Sequence, residues 1–183
     1  MGERLNIKNI EENVVACVRP KADDAVYTED WEDLQVYMRI IIDSERSMAL
    51  SKAFFDTLAI DAHELMKKAI SNLREQVRIR PLADVLRECG VEEEEAAPIM
   101  VASTKKEQYG AGAILVMNEH VKDKWILPCS VHEVLLVDKD LPEADLRSMI
   151  VAINMSGALE PQDVLSDHPY DVDSLASFAG GAA

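Results

Sequence analysis

Aromatic side chains make up only 5% of this 183-residue chain, so its core must be filled by Leu, Ile, Val, Met and Ala. Cysteine is equally sparse. Cys17, Cys89 and Cys129 are an odd number at wide spacings, which excludes a disulfide framework and points to reduced thiols in the cytoplasm. No apolar run approaches the ~20 residues that a membrane span requires, so no membrane partner is expected. The opening Met-Gly-Glu-Arg-Leu-Asn-Ile-Lys lacks the apolar stretch of a signal peptide. Asn6 stands where a myristoylation signal carries Ser or Thr. Positive charge is the other shortage. Lys and Arg number 19 against 34 Asp and Glu, a net charge of −15. Such a chain repels phosphate. That argues against direct nucleic-acid binding and favours a basic protein surface, including one that itself holds nucleic acid.

A dinucleotide loop is also missing. Tyr109-Gly-Ala-Gly-Ala-Ile lacks the third glycine-like position of the fingerprint. It also precedes a strand-like run, Ala111 to Met117, instead of opening a helix. A tight turn is the expected use, and no cofactor is expected.

What is present is a chain that is 48% apolar, long enough for one domain or two small lobes. The most β-like run is Ile126 to Val137, read as one central strand covered on both faces. Asn13 to Arg19, Leu34 to Ile42, Met48 to Ser51 and Pro98 to Ser103 also read as strands. Helices are expected over Lys52 to Leu58, from Asp61 with the stripe Leu65, Met66, Ala69, Ile70, Leu73 and Val77, and from Pro81 to Leu86. Another starts after Asp140 and Pro142, with Leu146, Met149, Ile150 and Ile153 on one face. The methionines at 48, 66, 100, 117 and 149 read as core gap-fillers. Arg78, Arg80 and Arg87 extend the only basic zone of the chain. Runs of strands and helices, without strict alternation, imply an α+β fold with helices packed on an antiparallel or mixed sheet. The domain expected is 1–176, with possible lobes at about 1–90 and 97–176 and a flexible tail at 177–183.

Two residue sets are candidates for function. The first is the acidic connection from Asp23 to Asp33, read as a solvated loop. There Tyr27 and Trp31 sit among Glu29, Asp30, Glu32 and Asp33, aromatic anchors within an anionic contact surface. The tetra-acidic run Glu92 to Glu95 is a second such segment.

The other set is the polar cluster Ser130, His132 and Glu133 with Asp167 and His168. Ser130, His132 and Asp167 are triad types. On one strand, however, Ser130 and His132 would lie side by side at ~7 Å, outside the ~3 Å reach that proton transfer needs. No Gly-x-Ser-x-Gly elbow is present. Cys129, His132, Asp167 and His168 are zinc-ligand types, but Cys-x-x-His on a strand faces opposite ways. The expected role is structural, with Ser130 and His132 tied to the loop carrying Asp167 and His168.

Three segments carry a resemblance. Ile126-Leu-Pro-Cys-Ser-Val-His-Glu-Val resembles Leu-Pro-Ser-Ser-x-His-Glu-Val. Val164-Leu-Ser-Asp-His-Pro-Tyr resembles Leu-Ser-Asp-His-x-Tyr, and Tyr109-Gly-Ala-Gly-Ala-Ile-Leu resembles Gly-Ala-x-x-Ile-Leu. Together they look like a family of uncharacterised proteins from gut Firmicutes, most clearly from Met100 to Tyr170. Cys129 replaces the family's Ser. The resemblance implies no activity. It places the chain beside cargo of phages and mobile elements, among which small acidic inhibitors of defence nucleases occur. The expected function is therefore a non-enzymatic, acidic protein-binding module, in its sharpest form an anti-CRISPR-like inhibitor of a nucleic-acid-handling effector. The alternative is a hydrolase or metal-dependent enzyme built on Ser130, His132, Asp167 and His168.

Overall fold

The computed structural model describes residues 7–43, 46–91, 98–106, 108–117, 121–128, 130–175 and 178. The tetra-acidic run at 92–95, Cys129 and all of the expected tail but Phe178 lie outside them; Phe178 is buried in the main core, so the expectation of a flexible tail fails at that residue. The fold is α+β, with two antiparallel sheets and helices packed on them.

The first sheet has the order β1-β3-β2, with β1 at Val14–Pro20, β2 at Thr28–Trp31 and β3 at Leu34–Ile41. A short β4, Ser47–Ala49, pairs with the far end of β3. Alternation sorts β1 and β3 into two faces. Val14, Ala16, Val18, Val36, Met38 and Ile40 enter the main core. Val15, Cys17, Tyr37 and Ile41 form a smaller cluster on the reverse face. There Arg39 lies 4.0 Å over the Tyr109 ring. The acidic connection is thus no plain loop. Its second half, β2, pairs with β3 around a two-residue turn at Glu32 and Asp33. Glu32 takes φ 52° there, a left-handed conformation uncommon outside glycine.

The helix α2 spans Lys52–Leu58 as expected, with Ser51 Oγ accepting the Phe54 N–H. α3 spans Ala62–Gln76. The Asp61 carboxylate accepts from the N–H groups of His63 and Glu64, satisfying two of the orphan donors of the first turn. Leu65, Met66, Ala69, Ile70 and Leu73 are buried in the main core. α3 also protects the open edge of β1. Asn72 Nδ2 donates to the carbonyls of Glu11, in α1 (Ile7–Asn13), and Val14, both at 2.8 Å.

The second sheet runs β5-β6-β8-β7-β9. β5 is Val77–Pro81, β6 Met100–Thr104, β7 Lys124–Leu127, β8 Val134–Asp138 and β9 Tyr170–Asp171. Here the run Ile126 to Val137 departs from its sequence reading. It is a hairpin of two strands, β7 and β8, joined by a polar connection. Pro128 offers no N–H to a ladder, and twelve residues exceed the usual strand length of about six. Folding the run back lets both halves bury two faces. Ile126, Val134 and Leu136 face the main core. Leu127 and Val137 face α5, Glu143–Met155, through Leu146 and Ile150. Met149 of α5 and Met48 are 46% and 38% exposed, so neither fills the core. Met66 and Met117 do.

Ala111 to Met117 is not a strand either. Residues Gly110–Leu115 form a buried 3₁₀ helix. A short apolar run fits a buried helix as well as a strand, and the glycines decide between them. A Cβ on Gly112 would fall 2.6 Å from the Ala16 carbonyl oxygen, and one on Gly110 2.8 Å from the Thr104 nitrogen. The small residues let this segment press backbone to backbone on β1 and β6. β5 has no counterpart among the strands expected from the sequence, although its pattern is local. Val77-Arg-Ile-Arg alternates apolar and charged residues with the two-residue period of a strand. One hydrophobic cluster draws on both sheets, α3 and the 3₁₀ helix together.

Candidate functional site

The polar cluster sits in the β7–β8 connection, not on a strand face. Ser130 bridges to Val164, the Val131 N–H donates to the Asp163 carbonyl, and the Ser166 N–H donates to the Pro128 carbonyl. These contacts clamp the connection against 161–166. Ser130 Oγ accepts the His132 backbone N–H at 3.0 Å. The His132 ring is engaged at both nitrogens. Nδ1 accepts the Tyr109 N–H at 3.3 Å, and Nε2 lies 3.5 Å from Asp163 Oδ1. Nδ1 as acceptor sets the tautomer with the proton on Nε2. In this arrangement no imidazole lone pair is left to deprotonate a nucleophile.

The expected partner of His132 is therefore corrected. Its contacts are Asp163 and Tyr109, because the connection lies beside the 161–163 turn and the 3₁₀ helix. Asp167 and His168 belong to a second group. His168 Nδ1 is 3.0 Å from both Ser166 Oγ and Asp167 Oδ1, and Nε2 is 3.5 Å from Asp33 Oδ2. The Asp167 carboxyl is held below its ordinary range by its hydrogen bond to His168. Ser130, His132 and Asp167 are thus not assembled as a triad. Among the described residues, no three His, Cys, Asp or Glu side chains converge as metal ligands.

One contact joins the two candidate sets. The Tyr170 hydroxyl donates to Asp33 Oδ1 at 2.7 Å, while His168 packs on the Tyr170 ring at 4.8 Å and meets the same carboxylate. The turn of the acidic hairpin is thereby pinned to the C-terminal strand β9. Burial pushes the Tyr170 phenol well above its ordinary range, and the Asp33 and Glu32 charges push the same way.

The acidic segment is largely paired within the chain. Asp24 binds Arg19 through both oxygens, which holds its carboxyl down to about 2. Glu29 accepts from the Tyr27 hydroxyl and lies 3.6 Å from His63, and Asp30 lies 3.6 Å from Lys21. Trp31 is 6% exposed and part of the main core, so it is no exposed anchor. With Leu34 as its cross-strand partner, its ring points inward. Beside the pinned turn is a hollow of about 360 Å³, lined by Glu32, Trp125, Glu143, Tyr170, Asp171 and Leu175, among others. Asp171 pairs with Lys139 at 2.6 Å, and Glu143 lies 3.7 Å from Arg147. Of the lining, Glu32 alone is a candidate binding residue in the sequence, and Tyr170 enters there only through the resemblance. Trp125, Tyr170 and Glu143 are far apart in the chain and carry no shared local signal.

The model of a family of unknown function, DUF5688, matches residues 23–174. The chain belongs to this family. The DUF5688 match runs from the acidic connection to just past β9, so it takes in the pinned turn, both histidine groups and the lining of the hollow except Leu175. It leaves out α1 and β1, although β1 pairs with β3 along its whole length. Comparison with curated proteins and with solved structures gives no match. Among the described residues, no helix is long and apolar enough to cross a membrane.

Proposed function

We propose that this DUF5688 chain is a non-enzymatic protein-binding module that recognises a basic surface on a partner protein. In its sharpest form it is a cytoplasmic inhibitor of a nucleic-acid-handling effector, of the anti-CRISPR-like kind carried by mobile elements. The observation that carries the reading is the acidic, aromatic hollow beside the pinned turn. A Lys or Arg side chain has an apolar stem and a cationic head. The walls of Trp125, Tyr170 and Leu175 suit the stem, and Glu32, Glu143 and Asp171 suit the head. The net charge of −15 draws a basic partner in from a distance. The enzyme alternative built on Ser130, His132, Asp167 and His168 is the weaker reading, because Ser130 Oγ meets the His132 backbone N–H and not its ring.

The test is capture of a candidate nuclease from lysate by the full chain, followed by binding kinetics with the purified partner at two salt concentrations. A stoichiometric complex whose association slows with salt is expected, because screening acts over ~8 Å at physiological ionic strength. Glu32→Gln with Glu143→Gln should slow association further and flatten its salt dependence. Association that ignores both salt and these two carboxylates overturns the proposal.

A further inference from the structure

The basic zone of the chain lines a different cleft, on the outer face of the second sheet. α4, Leu82–Glu88, covers one side of it. The space is about 360 Å³ and is lined by Arg78, Arg80, Val85, Val101, Ser103 and Glu133, with Glu88 and Cys89 at its α4 side. Strand register explains the convergence. Arg78 is opposite Ser103, and Arg80 is opposite Val101. Val101 is in turn opposite Leu135, and Ala102 opposite Val134. One residue further along, Glu133 falls opposite Ser103. Cross-strand neighbours share a face, so Arg78 and Ser103 do, and Glu133, one residue ahead of β8, lines the same cleft and completes the row. Its ends are two strand spacings, about 10 Å, apart, and the long Arg and Glu side chains shorten that gap from both sides.

The charges in the cleft balance. Arg80 pairs with Glu88 at 2.5 Å. Among the described residues no carboxylate pairs with Arg78, and both it and Glu133 are exposed. Ser103 Oγ donates to the His132 carbonyl at 3.0 Å, which leaves its lone pairs to accept. Two guanidinium groups against two carboxylates disfavour a dianion, and so does a chain at −15. They suit a ligand with no net charge but opposite charges at its ends. Val85 and Val101 provide an apolar middle.

We propose that this cleft binds a small zwitterion, with its carboxylate on Arg78, its ammonium on Glu133, and an apolar linker over Val101, while Arg80 stays with Glu88. The site is separate from the acidic hollow and does not depend on the protein-binding reading. Cys89 supplies a local reporter, because its thiol is exposed at the cleft whereas Cys17 is buried.

The experiment measures alkylation of Cys89 by iodoacetamide on the full chain, resolved by peptide mapping, with ε-aminocaproate, caproate, hexylamine or inorganic phosphate added. Only ε-aminocaproate is expected to protect at low concentration. Arg78→Gln and Glu133→Gln should each raise its half-protecting concentration about tenfold, the effect of losing one charge-assisted contact. Both side chains are exposed, so unchanged thermal unfolding is expected of each variant. Protection by caproate or phosphate equal to that by ε-aminocaproate would overturn the zwitterion assignment. So would a Glu133→Gln variant that binds like the parent, and absence of protection by any probe removes the site.

Discussion

Trp31 shows how a single residue changes meaning when its neighbours are known. In the sequence it is an aromatic among acids, and an exposed anchor is the natural reading. In the fold it alternates with exposed Asp30 along β2 and enters the core at 6% exposure. The consequence is measurable. Trp31→Ala should cost about 3–5 kcal/mol in denaturant unfolding, the range for truncating a large buried aromatic. Asp30→Asn, on the solvent side with only a loose contact to Lys21, should stay within about 0.5 kcal/mol of the parent. Equal, small effects would put Trp31 back on the surface.

At the scale of elements, the device that closes the first sheet is the cover on β1. A strand with a bare edge invites pairing with another chain. Here Asn72 satisfies the Glu11 and Val14 carbonyls, and Gly112 lets the 3₁₀ helix approach Ala16. Asn72→Leu keeps the bulk but removes both donors, leaving the Val14 carbonyl buried without this partner. A loss of about 1–3 kcal/mol is expected, read as a lower midpoint in urea with an unchanged slope. Full parental stability would mean that water or a backbone shift satisfies the carbonyls as well as Asn72 does.

The whole molecule should be more sensitive to alkali than to mild acid. Burial pushes the Cys17 thiol from 9.0 up to about 12, and burial with the Glu29 charge pushes the Tyr27 phenol from 10.0 up to about 12. A folded-state pKa above the unfolded one gives stability that is complete below the unfolded value and lost as pH rises through the folded value. Stability should therefore hold to about pH 9 and fall between there and pH 12. Cys17→Ala should make the decline between pH 9 and 10 shallower, because the thiol titrates in the unfolded chain ahead of the phenols. Denaturant midpoints across that interval decide it, and an identical slope in parent and variant would show that Cys17 is not the group involved.

Local patterning was enough for much of the fold. The α+β class, strand β3, the helix Lys52–Leu58, the Asp61 cap and the inward stripe of α3 were all legible. Each depends on residues within a turn or two of one another, and the 3.6- and two-residue periods record which side faces a core. The same is true of β5, whose Val77-Arg-Ile-Arg alternation is an equally local signal. Three things were decided only by tertiary contacts. The run from Ile126 to Val137 doubled back, since periodicity along a chain does not say where the chain reverses. Gly110 to Leu115 became a 3₁₀ helix because β1 and β6 lie against its glycines. Asp33, His168 and Tyr170 met across 137 residues of chain. Pairing at that separation is set by how the two sheets pack, and no local spacing carries it.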